Sequence, residues 1–521
     1  MAQQVSEPAR RRTIGHACRQ GVAHVDPPNA KLCDRKRGLL PRDACSPKRR
    51  RKIGMELAKT WPMHSSAIDP STPSSSATRA AALTRDWICP FCPLLCDDLV
   101  AASHDDGTLE VPDTECSRLA HALTRYGAAD AQCRCVVDGS EADHDAALTS
   151  AAQWLANARR PLFGGLATDV AGTRALYPLA AACGAILDHL HGDALTPATL
   201  ALQDRGAFFT TLSEVRARAD LLVFFGCQPS RRYPRFYTRA LGGTELAREL
   251  VFVGCDADPA AAGLPQTRID PLLRDADPYD TLALWSALAE GRDAAALSHG
   301  AGSQANVATA LASLHARIAS ARYTVVVYEP AALPAPHAAL LIEALNRIVK
   351  AVNRTTRAAC LALGGDDGAL TVNQTVTWLS GLPLRTRVSM PARVTGAAPL
   401  DHDPYRYRTA RLLAEREVDA LVWIASFAPH AWPASLDPAL PLIVLGHPAL
   451  ADAAKARGAN TVFVPVATPG IDSGGHLFRV DGTAVMPLAA ARGAALETVA
   501  SLAAQLNERL SERLNPREDQ P

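Results

Sequence analysis

Four cysteines stand out by their spacing. Cys89, Cys92, Cys96 and Cys116 follow the pattern C-x2-C-x3-C-x19-C. Three thiols within eight residues can wrap one metal centre, and the fourth closes it after an excursion. That excursion, CDDLVAASHDDGTLEVPDTEC, reads as a hairpin: a short strand, a DDG turn at 105–107, then a second strand. A hairpin returns Cys116 to the side of the other three. Four converging thiolates suit an iron–sulfur cluster or a zinc ion. Zinc ribbons present two matched C-x2-C knuckles and this chain has one, so the three-plus-one spacing favours a 4Fe-4S cluster. A purely structural cysteine set is the third reading.

Other chemistry is sparser. Cys133 and Cys135 form a C-x-C read as idle thiols, and Cys183, Cys227, Cys255 and Cys360 lie in apolar stretches that read as core. His189 and His191 form H-x-H, too few ligands for a metal on their own. Asp366–Asp367 reads as a solvated loop. The sequence lacks G-x-G-x-x-G after a strand, G-x-x-x-x-G-K-[ST], H-E-x-x-H and G-x-S-x-G. That excludes the dinucleotide fingerprint, the P-loop, the zincin helix and the nucleophile elbow.

The elements that must position these residues alternate. Short, uninterrupted apolar runs lie at 219–227, 249–255, 323–330, 418–426, 440–446 and 460–466. Such runs read as strands buried on both faces of a parallel sheet. Helical patterns lie between them, at 144–158, 172–185, 278–291 and 337–352. Strands alternating with helices predict an α/β architecture with parallel sheets. Ligands in open α/β sheets bind beyond the carboxyl ends of the strands. The loops 226–235, 254–259 and 426–433 therefore face any ligand, with Gly226, Asp256 and Asp258 as candidate cofactor-binding residues.

Composition bounds the rest. The 521 residues carry a net charge of +1, with 48% hydrophobic and 21% charged residues. That balance gives no general argument for binding nucleic acid or a membrane surface. No apolar run approaches the ~18 residues of a membrane span. No secretory signal is visible, so the 13 cysteines read as thiols or ligands in a reducing cytoplasm. The charge is uneven: residues 1–55 hold 14 Lys/Arg against 4 Asp/Glu, leaving the rest acidic. The expected organisation is a disordered basic and Ser/Pro-rich leader (1–84), a cysteine-rich hairpin subdomain (85–135), two α/β lobes (136–320 and 321–490), and a carboxy-terminal helix and tail (491–521).

These segments together resemble the molybdopterin-dependent oxidoreductases, and within them the B subunit of formylmethanofuran dehydrogenase. The resemblance rests on CPFCPLLCDDL, VRARADLLVFFGCQPSRRYPR, TVTWLSGLP (375–383), VDALVWIASFAPHAWP (418–433) and PGIDSGGHLFRVDGTAVMPL (469–488). It covers about 85–490 and implies a multi-lobed molybdopterin-oxidoreductase-like fold with a 4Fe-4S cluster on the four cysteines. The departures are specific. The redox-active family ligates tungsten or molybdenum through a cysteine where GGLATDVAG (164–172) places Val170. Gln228, Tyr233 and Phe236 stand where that family has an asparagine and histidines. An aliphatic side chain cannot ligate a soft metal, so a molybdenum- or tungsten-pterin is not expected.

This combination resembles the B subunit of the bacterial formyltransferase/hydrolase complex. The implication is a non-redox scaffold subunit in tetrahydromethanopterin-linked oxidation of formaldehyde to formate, without catalytic residues of its own. Its partners would be the other subunits of the complex. A second reading is an active molybdenum- or tungsten-pterin dehydrogenase subunit in which Asp169 ligates the metal. A third is a stand-alone iron–sulfur or zinc structural protein with its basic leader as a docking arm.

Overall fold

The computed structural model describes residues 82–112, 114–127, 133–293, 303–389 and 398–514. The chain divides into two units, Met1–Ser75 and Ser76–Pro521. The first, with nearly all of the expected leader, lies outside the described residues, and every described element belongs to the second. The described chain begins in a strand at Ala82, ahead of the expected boundary at 85.

Two parallel sheets carry the molecule. The five-stranded sheet has the order β10 (Thr267–Leu272), β9 (Arg248–Val253), β8 (Leu221–Phe225), β11 (Thr324–Tyr328), β12 (Ala358–Ala362), every pair parallel. The nine-stranded sheet is centred on β7 (Ile186–Leu187), β6 (Pro161–Ala167), β15 (Ala420–Ala425), β16 (Leu442–Gly446) and β17 (Thr461–Pro465), all parallel. Antiparallel pairs finish its edges: β13 (Thr386–Val388) and β14 (Leu400–His402) on one side, β4 (Cys135–Val137) and β5 (Ser140–Ala142) on the other. A three-stranded sheet, β1 (Ala82–Trp87), β2 (Leu99–Ser103) and β3 (Leu109–Glu110), holds the cysteine-rich segment. A hairpin of β18 (Gly475–Phe478) and β19 (Val485–Leu488) completes the strands.

The apolar runs explain the central strands. Every residue of β6, β8, β11, β15, β16 and β17 is buried. Their side chains alternate between two cores. In β15, Val422 and Ile424 enter one cluster, and Leu421, Trp423 and Ala425 enter the other. In β8, Leu222 and Phe224 face one core, and Leu221, Val223 and Phe225 the opposite one. Helices cover both faces, as two-sided burial of a parallel sheet requires. The helix Val499–Leu514 lies against the helices Val170–Cys183 and His144–Asn157 and buries Leu502, Leu506 and Leu510, one per turn.

One boundary reads differently in three dimensions. The expected lobes meet at 320/321, yet each large sheet takes strands from both sides of that point. β8, β9 and β10 precede it while β11 and β12 follow it; β6 and β7 precede it while β13 to β17 follow it. The chain leaves the first sheet after β7, builds the second, and returns. Composition does not change at either crossing, so the sequence offers no mark of it.

Candidate functional site

The cysteine loop forms as its spacing demands. The Cys89 N–H donates to the Cys96 carbonyl (3.0 Å), and the Leu95 N–H to the Cys92 carbonyl (3.1 Å). β2 and β3 then form the expected hairpin and bring the chain to Cys116, which precedes the helix Ser117–Leu123. Cys89, Cys92 and Cys96 are buried and Cys116 half-buried. Burial pushes the Cys92 thiol up to about 12, against the lowering effect of Arg118. Burial also raises Cys89, and the fields of Cys92, Cys96 and Cys116 raise it further, so the four thiols lie within electrostatic reach of one another. Among the described residues, no three His, Cys, Asp or Glu side chains are gathered as around a single metal ion. A tetrahedral zinc ion needs its sulfurs at about 2.3 Å. A cubane spreads its four thiolates over four irons and leaves them farther apart. Four thiols are donors of the type that suits either group.

Arg118 ties this loop to the crevice between the large sheets. Its Nε donates to the Phe91 carbonyl (2.7 Å), inside the C-x2-C, and its guanidinium also pairs with Asp366 (2.7 Å). Asp366 pairs with Arg232 as well and accepts from the Tyr233 hydroxyl (3.3 Å). Arg232 bridges on to Glu329. These residues come from three strand ends: Arg232 after β8, Glu329 after β11, Asp366 after β12. Beyond the carboxyl ends of these strands, two arginines, two carboxylates and a buried tyrosine thus form one network. The reading of Asp366–Asp367 as a solvated loop is overturned: the Asp366 side chain is only 4% exposed.

Asp367 organises a second group. Its carboxylate meets His191 Nε2 at 2.8 Å and His430 Nε2 at 3.1 Å, and its carbonyl lies 3.1 Å from His189 Nε2. Burial works against this carboxylate, but hydrogen bonds from His191 and His430 outweigh it and hold the group well below the usual carboxylate range. Burial pushes His189 down to about 3, so its ring is neutral at ordinary pH. Its Nδ1 accepts the His191 backbone N–H (3.0 Å), so the ring proton sits on Nε2 and is donated to Asp367. The H-x-H pair thus acquires the partners that sequence spacing alone did not supply. His430 lies in the loop after β15, one of those expected to face the crevice.

Gly368 sits where these loops touch. Its φ is +75°, and a Cβ there would lie 2.4 Å from the Thr168 carbonyl oxygen, at the end of β6. Gly368→Ala is expected to cost about 2 kcal/mol, read as a lowered urea midpoint. An unchanged midpoint would refute the close approach.

The other sequence candidates hold the scaffold. Asp258 is buried and accepts from the Ser230 N–H (2.8 Å), the Ser230 hydroxyl and the Ala260 N–H (3.1 Å). Asp256 is exposed and pairs with Arg274 (3.2 Å). Gly226 turns the chain after β8 at φ +61°, its N–H bonded to the Val253 carbonyl (2.9 Å). Gln228 donates to the carbonyls of Asp256 and Ala257, binding the two loops together. Tyr233 and Phe236 are fully buried aromatics. Val170 opens the helix Val170–Cys183, and Asp169 caps it by accepting from the Gly172 N–H (2.8 Å). The other Asp169 oxygen accepts from the His476 N–H (3.2 Å). Both oxygens of the buried Asp169 are committed to backbone. The sequence reading missed Arg118, Arg232 and Glu329 and took Asp366 for a solvated loop; Arg118 stands two residues beyond Cys116, and Arg232 within the GCQPSRRYPR segment.

Comparison with known proteins places this architecture. The B subunit of the formyltransferase/hydrolase complex Fhc of Methylorubrum extorquens is 30% identical over 391 residues, spanning 72% of this chain and 98% of that protein. The chain belongs to the family of Fhc B subunits. The crystal structure of the M. extorquens formyltransferase/hydrolase complex FhcABCD with methylofuran contains a chain matching this one with a TM-score of 0.60 and 28% identity, over 73% of this chain and 99% of that one. A more distant relative is the B subunit of the tungsten-containing formylmethanofuran dehydrogenase 2 of Methanocaldococcus jannaschii, 32% identical over 163 residues, or 30% of this chain and 38% of that protein. No family model matches the chain. Among the described residues of this member of the Fhc B-subunit family, no helix is long and apolar enough to cross a membrane.

Proposed function

We propose that this chain is the B subunit of a formyltransferase/hydrolase complex and serves it as a non-redox scaffold. In this reading the complex handles formyl groups on the route from formaldehyde to formate, and both reactions occur on other subunits. One observation carries the non-redox part. At the position where the redox-active relatives place a metal-ligating cysteine, Val170 offers no donor, and the neighbouring Asp169 spends both oxygens on the N–H groups of Gly172 and His476. Without a donor at Val170 or a free oxygen on Asp169, the residues at this position do not fit the metal of a molybdenum- or tungsten-pterin. This also argues against the second reading, in which Asp169 ligates the metal.

Cys89, Cys92, Cys96 and Cys116 would hold a 4Fe-4S cluster, whose chemistry is one-electron transfer or structural bracing. Without a second redox centre, bracing is its role here: Arg118 links the cysteine loop to Asp366. A reducing cytoplasm, where such thiols stay reduced and able to ligate a cluster, is the compartment this reading implies. Metal and pterin analysis of the anaerobically purified complex, with its subunits separated, tests the proposal. The expected result is about four irons on this chain and neither molybdenum, tungsten nor pterin. Molybdenum or tungsten near one per chain would overturn the non-redox reading, and iron unchanged in Cys92→Ser would overturn the cluster assignment.

A further inference from the structure

A cavity of about 230 Å³ opens beside the Arg232–Asp366 ion pair. It shares none of Gly226, Asp256 or Asp258. The helix Gly192–Arg205 supplies Leu195, Ala198 and Leu202 to its wall, and Ile342 and Tyr328 face it from the five-stranded sheet's side. At its mouth stand Phe209, 56% exposed, and Leu202, 45% exposed. Large apolar side chains left in water at the entrance of an apolar cavity suit a ligand with an apolar body.

The inner end is polar and rich in donors. Gly364 and Gly365 line it in conformations with φ of +149° and +98°, and a Cβ on Gly364 would meet open space. Their N–H groups have no acceptor among the described residues. Asn373 also lines it; its Oδ1 accepts the Leu384 N–H (3.0 Å), which leaves its NH2 to donate. The Gln374 amide faces the same space without a partner among the described residues, and Arg232 keeps Nε after pairing through its other two nitrogens. The carboxylates at this end are already matched: Asp366 by Arg118 and Arg232, Asp481 by Arg479. This end therefore offers several unpaired donors, and a half-buried donor without a partner favours an acceptor-bearing ligand.

We propose that this cavity binds a small molecule with an apolar body and a carboxylate head, the head on the Gly364–Gly365 amides and the body between Leu195, Ala198 and Ile342. The volume lies just below the range for drug-sized ligands, so the body is about the size of one ring and a short linker. This site is independent of the scaffold reading and of the cysteine cluster.

Calorimetric titration of the purified complex with phenylbutyrate and with phenylbutanol tests it. The two probes share the apolar body and differ in the head. The carboxylate is expected to bind about tenfold more tightly than the alcohol. Ala198→Trp, which fills the wall, should abolish binding of both. Gln374→Leu, on a half-buried helix face, removes one of the donors beside the Gly364–Gly365 amides and should narrow the gap between the two affinities while leaving the fold intact. Equal affinities in the parent complex, no binding of either probe, or binding that survives Ala198→Trp would each overturn the site. Should Ala198→Trp fail to fold, the Gln374→Leu ratio decides.

Discussion

Replacing Asp366 with alanine is expected to destabilise the chain by about 3 kcal/mol, measured as a shift of the urea unfolding midpoint at constant slope. Asp366 is the hinge of the crevice network, since both Arg118 and Arg232 pair with it and the Tyr233 hydroxyl donates to it. Removing the carboxylate leaves two guanidinium groups facing each other with Glu329 as the remaining counter-charge. Breaking a buried ion pair from one side costs about 3–5 kcal/mol. The Arg118 and Arg232 side chains are 27% and 39% exposed, so water recovers part of that loss and places the effect at the low end. Asp366→Asn keeps an acceptor for Arg118 and should cost less. In a double-mutant cycle with Arg118→Met the two losses should fall short of adding, because the second change removes the charge that the first exposed. A loss below about 1 kcal/mol for Asp366→Ala would show that the network contributes little.

Much of this architecture is legible in the sequence, and the reasons are local. The run VDALVWIAS marks β15 because a strand buried on both faces cannot alternate with polar residues. The hairpin after Cys96 follows from the DDG turn, and Gly107 takes the expected positive φ of 79°. That hairpin is short enough to return the chain, at Cys116, to within electrostatic reach of Cys89. The pairing of strands into sheets is not local. Nothing at residue 320 announces that β11 will join β8 while β15 joins β6. The crevice network was hidden for the same reason. Arg118, Arg232, Glu329 and Asp366 are far apart in sequence and look like ordinary surface charges until three strand ends bring them together. The absence of a ligating cysteine at Val170 was visible from a resemblance, but the commitment of Asp169 to two backbone N–H groups required the fold.

Acidification is expected to weaken the chain in a window set by His189. Burial pushes this ring down to about 3, whereas an unfolded histidine titrates near 6.5. Above about pH 6.5 both states hold the ring neutral, and it makes no contribution to the pH dependence. As the pH falls below that value, the unfolded chain takes up a proton that the folded chain refuses until about pH 3. The unfolded state is then favoured by up to about 1.4 kcal/mol per pH unit. By pH 4.5 the accumulated loss from this residue is about 2–3 kcal/mol. Asp367 acts in the same direction but lower: its depressed titration stabilises the fold above the ordinary carboxylate range and is lost only below it. Burial also lowers His315 and His402, which add their own slopes. The comparison of parent and His189→Gln isolates the one residue. Glutamine can offer an N–H toward the Asp367 carbonyl without a titrating ring, so the variant should lose some stability at pH 7.5 yet decline less steeply between pH 6.5 and 4.5. Urea midpoints at four pH values across that window read the difference. Parallel curves would mean that His189 is protonated in the folded chain and that its hydrogen bonds to Asp367 and His191 are not those of a neutral ring.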